Sequence, residues 1–130
     1  MKFEAQEMKF VTDRKRALGM GSAKSGTAHF WEMKMSSVAL LILMPIFVFT
    51  FGFVVGQPHS VVVDYFAKPF PALITGLTII VGFAHFKSGV TVLIEDYVHG
   101  TAQKFLIILL TCLSYLSMAT GLFALAKLAF

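Results

Sequence analysis

The sequence predicts an all-α membrane protein, three transmembrane helices preceded by a polar cytoplasmic N-terminal arm, and three observations carry that expectation. Of 130 residues, 57% are hydrophobic and only 14% charged, far from the balance of a water-soluble domain. Apolar runs long enough to cross a ~30 Å hydrocarbon core at ~1.5 Å per residue recur along the chain. Seven of the eleven Lys and Arg residues (Lys2, Lys9, Arg14, Lys15, Arg16, Lys24, Lys34) precede the first of these runs.

That asymmetry places the N-terminus in the cytoplasm by the positive-inside rule. Three spans then leave the C-terminus in the periplasm, with a bacterial inner membrane as the location. The formal charge of +4 reflects topology and not nucleic-acid binding, because a basic patch needs a solvated face and most of this chain has none.

Residues 1–30 read as an irregular arm that needs a partner to order it, with Ser22 to Thr27 turning the chain toward the membrane. Glu4, Glu7, Asp13 and Glu32 in the first 35 residues, with no short apolar core before a cleavage site, argue against a signal or transit peptide. Residues 31–130 form the three-helix membrane part, with spans at about 33–56, 71–95 and 102–126.

The first span contains SSVALLILMPIFVFTFGFVVG, Ser36 to Gly56, without a single charge. Pro45 is expected to kink it, which membrane helices tolerate. Residues 57–71 hold three prolines and read as an outer loop. The second and third spans are joined by a short inner turn around Gly100. On the third, Ser117 and Gly121 make a small-xxx-small step that lets another helix approach closely. Cys112, the single cysteine, forms no internal disulfide and reads as inert packing.

The chemistry concentrates on the second span. His85 lies ~21 Å along the helix from Pro71, a little past mid-membrane. An imidazole at that depth wants a hydrogen-bond partner or a metal, and haem ligation, proton relay and helix–helix bonding all answer. Gly82, Ser88 and Gly89 share its helical face. Bare surface of that kind suits a planar macrocycle and close helix packing alike. His29, His59 and His99 fall near or outside the membrane surfaces, so a second histidine ligand to any haem must come from another chain.

Asp96 follows His85 by eleven residues, close to a whole number of turns, so the two point the same way ~16 Å apart. With Glu95 and Tyr97 it crowns the cytoplasmic end, where a carboxylate can relay protons and a phenol can donate to a carbonyl oxygen. The plainer alternative is a helix ending in water beside an interfacial aromatic. Lys87 can snorkel or pair with an anion such as a haem propionate. His29, Trp31 and Lys34 read as interface residues.

H-x10-D-Y, here His85 to Asp96-Tyr97 in the middle helix of three, together with GSAKSGTAHFWEMKMSSVALL at residues 21–41, resembles the smaller hydrophobic membrane anchors of succinate dehydrogenase (complex II), in their alphaproteobacterial form. The resemblance covers roughly residues 12–127. It implies that His85 is an axial ligand of haem b, shared with a histidine of a second membrane-anchor subunit. It makes Tyr97 a hydrogen-bond donor to ubiquinone and Asp96 a proton-path or site-organising residue, with Lys34 the candidate for a haem propionate. The implied partners are a flavoprotein subunit that oxidises succinate, an iron-sulfur subunit that passes the electrons on, and the lipid bilayer. Neither flavin nor cluster belongs to this chain, which lacks G-x-G-x-x-G and has one cysteine. The rival readings are a haem b subunit of another quinol or fumarate enzyme, and a cofactor-free membrane scaffold or small transporter subunit.

Overall fold

The computed structural model describes residues 12–19 and 26–130, in five helices: α1 (Asp13–Leu18), α2 (Gly26–Gly52), α3 (His59–Phe66), α4 (Pro69–Tyr97) and α5 (Thr101–Ala129). Much of the predicted arm, residues 1–11 and 20–25, lies outside the described residues; with it lies most of the expected turn at Ser22 to Thr27.

The three long helices each have the length and apolarity of a membrane span, and little of their surface is covered within the chain. Apolar side chains stand on every side of them, as Leu41, Ile42, Phe49, Leu113, Leu116 and Phe123 do among the exposed residues. A helix apolar all round is buried in a large core or in lipid, and this chain has no such core.

α4 is the central element. It packs against both α2 and α5, whose backbones do not approach each other, so the three spans form an open row and not a closed bundle. Gly121 of α5 meets Ile79 of α4 at 3.5 Å from the position a Cβ would occupy, and Gly76 of α4 meets Leu125 at 3.5 Å. The close approach expected at Gly121 is thus realised within the chain, against α4.

Four features depart from the sequence reading. α2 begins at Gly26, not near residue 33, because hydropathy marks where the chain becomes apolar and not where the helix starts; Ala28, Phe30, Glu32 and Lys34 lie in its exposed N-terminal part. Part of the region expected to be an irregular arm is α1, with Thr12 Oγ1 accepting from the Lys15 amide at 3.3 Å and Gly19 closing it at φ 52°. The loop expected between the first two spans contains α3, whose Phe66 is only 4% exposed and packs where α3 meets α4 and α5. Cys112 lies on an exposed face of α5 instead of in packing.

Pro45 falls inside α2 without ending it. Pro69 opens α4 at the first helical turn, where its missing N–H costs nothing. α4 and α5 are joined by Val98, His99 and Gly100 alone; Gly100 has φ 76°, the left-handed region that favours glycine. A short turn between the second and third long helices stands where it was expected.

Candidate functional site

His85 is half-buried on α4, on the side that meets α2. Its Nδ1 lies 2.9 Å from Ser36 Oγ. Ser36 Oγ in turn donates to the Met33 carbonyl of its own helix at 3.0 Å. A hydroxyl has one proton, so both contacts are made together only when the imidazole carries its proton on Nδ1 and donates to Ser36. That tautomer leaves the Nε2 lone pair bare, in the form a metal accepts.

Beside His85 on the same helical face, Gly82 and Gly89 have nothing within 4 Å of where a Cβ would stand. They do not serve close packing within this chain, unlike Gly76 and Gly121. Against Gly82 runs an apolar groove of about 370 Å³ between α4 and α2, lined by Phe47, Thr78, Ile79, Gly82, Phe83 and Phe86. Among the described residues no three His, Cys, Asp or Glu side chains converge as a metal cluster.

Asp96 and Tyr97 close α4, both exposed, with Tyr97 at 81%. Val98 leaves the helix in extended backbone, its amide bonded to the Ile94 carbonyl. Because the Ser36–His85 contact fixes the antiparallel register, the α4 terminus lies level with the start of α2. Among the described residues neither neighbouring helix covers Tyr97.

The two candidate lysines do not join His85. Lys87 Nζ lies 3.5 Å from the Tyr115 hydroxyl and 5.6 Å from the centre of its ring on α5; two residues along a helix is ~200° of rotation, so it faces the opposite neighbour. Lys34 Nζ sits 5.5 Å over the Phe30 ring, on an exposed part of α2, again two residues from the group that meets His85. Trp31 and Phe30 pack edge to face at 5.9 Å at the same exposed end.

Comparison with known proteins decides the family. Residues 8–122 match the family model described as succinate dehydrogenase/fumarate reductase transmembrane subunit. A relative from Paracoccus denitrificans, the succinate dehydrogenase hydrophobic membrane anchor subunit, is 40% identical over 121 residues, 93% of this chain and 94% of the relative. The chain belongs to that family. No solved structure matches it.

For this membrane-anchor subunit, the sequence already marked His85, Asp96 and Tyr97; it did not mark Ser36. The only available signal was a hydroxyl at the inner end of the first span, and Ser37 beside it offers the same one. Their difference lies in the face each takes: Ser36 is half-buried toward α4, whereas Ser37 is exposed and bonds only the Met33 carbonyl at 2.8 Å. A helix apolar all round gives no period from which that face could be read.

Proposed function

We propose that the chain is the membrane anchor of a succinate:ubiquinone oxidoreductase, supplying one axial ligand to a haem b and part of the ubiquinone-reduction site. The observation that carries this reading is the Ser36–His85 contact, which engages Nδ1 and leaves Nε2 as the nitrogen available to a metal, on a helix long and apolar enough to span a membrane. The uncovered Gly82 and Gly89 beside it fit a flat macrocycle. The lone intramembrane histidine fits a haem whose second ligand comes from a second anchor subunit. When bound, such a group supplies a one-electron site within the membrane.

Tyr97 and Asp96 stand at the other part of the function. The Tyr97 hydroxyl donates a hydrogen bond to a ubiquinone carbonyl oxygen and stabilises the negative charge that develops there as electrons arrive, a donor already in position. Asp96, exposed to the aqueous side, passes protons toward the same oxygen. Electrons reach the quinone from an iron-sulfur subunit served by a flavoprotein that oxidises succinate, and both dock at the cytoplasmic surface. The exposure of Tyr97 among the described residues is compatible with such a docking face. The N-terminus is cytoplasmic, the C-terminus periplasmic, and the membrane is the bacterial inner membrane. Lys34 and Lys87 would reach a propionate only by turning away from Phe30 and Tyr115.

A dithionite-reduced minus oxidised spectrum of the purified complex tests this reading beside the same complex carrying His85→Leu. The native sample is expected to show a b-type α-band that disappears or shifts in the assembled variant. A native complex without a b-type α-band would leave His85 as a helix–helix hydrogen bond and remove haem from the function.

A further inference from the structure

Hydroxyls in the spans of this protein mostly satisfy themselves. Thr50, Thr78, Thr91, Ser114 and Thr120 each donate to a carbonyl three or four residues back on their own helix. This is how a polar side chain is accommodated in hydrocarbon at low cost. Ser36 does the same with Met33 and then also reaches across to another helix, at 2.9 Å from His85 Nδ1.

We propose that Ser36 is a positioning residue for the haem ligand: it holds His85 in the Nδ1–H tautomer, fixes the plane of the ring, and sets the electron density that Nε2 offers to iron. The proposal rests on the haem reading above. Its geometry is a chain of three groups, Met33 C=O, Ser36 O–H and His85 Nδ1–H, each donating to the one before. The chain begins on the backbone of α2, so the ligand is oriented by a different helix from the one that carries it. An imidazole whose second nitrogen donates a hydrogen bond is a stronger ligand, and a stronger donor favours the ferric state. Removing the acceptor therefore raises the haem midpoint potential.

Thr and Val have nearly the same shape and differ in the hydroxyl. Redox titration of the α-band in purified complexes carrying Ser36→Thr, Ser36→Val and, as a control on the neighbouring exposed hydroxyl, Ser37→Ala separates hydrogen bonding from packing. Ser36→Val is expected to raise the potential by an amount equivalent to about a tenfold change in the ferric/ferrous ratio, ~59 mV for one electron, or to lose the haem. Ser36→Thr and Ser37→Ala are expected to titrate like the native complex. Equal behaviour of the Thr and Val variants, whether equal potentials or equal loss of haem, would overturn the proposal, as would a Ser37→Ala shift as large as that of Val. Absence of any α-band in the native complex would overturn the haem reading and this inference with it, an outcome distinct from a native band that the Val substitution leaves unmoved.

Discussion

α4 has two seams, and they are built from opposite materials. Toward α5 its glycine contacts are met by side chains: Gly121 by Ile79 and Gly76 by Leu125 and Leu122, with Ser114 buried to 3% on the same seam. Toward α2 it is polar and incomplete, with a hydrogen-bonded histidine, two glycines that nothing in the chain covers, and an open apolar groove. Glycine is used for closeness on one side and for vacancy on the other. The residue type alone therefore does not tell a packing position from a binding one; what stands opposite it does.

Substitutions at the glycines should break this comparison most visibly. Gly82→Leu fills the face beside His85, and the assembled complex is expected to lose its b-type band while its subunits remain together on size-exclusion chromatography. Gly121→Leu drives a side chain into Ile79 and is expected to lower the thermal stability of the complex by about 1–3 kcal/mol, as overpacking does, with the spectrum of the surviving fraction unchanged. A Gly121→Ala control should unfold at the native temperature, since 3.5 Å is an ordinary contact.

Tyr97→Phe sharpens the comparison from the end of α4 that neither seam covers. It is expected to preserve assembly and the α-band and to lower the rate of quinone reduction by about tenfold, ~1.4 kcal/mol of transition-state stabilisation. Quinone kinetics equal to the native enzyme would take the phenol out of the site. The smallest effect belongs to Lys87→Met: a side chain lying against Tyr115 on the α5 side should change neither the α-band nor its potential. A shift there would mean that the lysine turns toward the His85 side in the complex.

The spans were legible in the sequence because length and hydropathy suffice for them, and the α4–α5 turn because Gly100 supplies a positive φ that few residues adopt. His85, Asp96 and Tyr97 could be singled out because ionisable and phenolic groups are conspicuous in an apolar chain. α3 was hidden by its flanking prolines and by being eight residues long, too short for a hydropathy signal, although Val62 and Phe66 have helical spacing. Ser36 and the true facing of Lys87 were hidden for another reason. Which side of α4 meets which neighbour depends on inter-helix register, and in helices apolar on all sides no pattern within one helix records it.

The connections on either side of α4 differ in length, and this bears on how the protein comes into being. Three residues tie α4 to α5, whereas the path from α2 runs through residues 53–68 and the α3 helix. Closing the short turn constrains far less chain than closing the long one, so the second and third spans can enter the bilayer as a preformed hairpin while the first is still free to move aside. In that order of assembly the α2–α4 seam, where Ser36 meets His85, is the last surface to close.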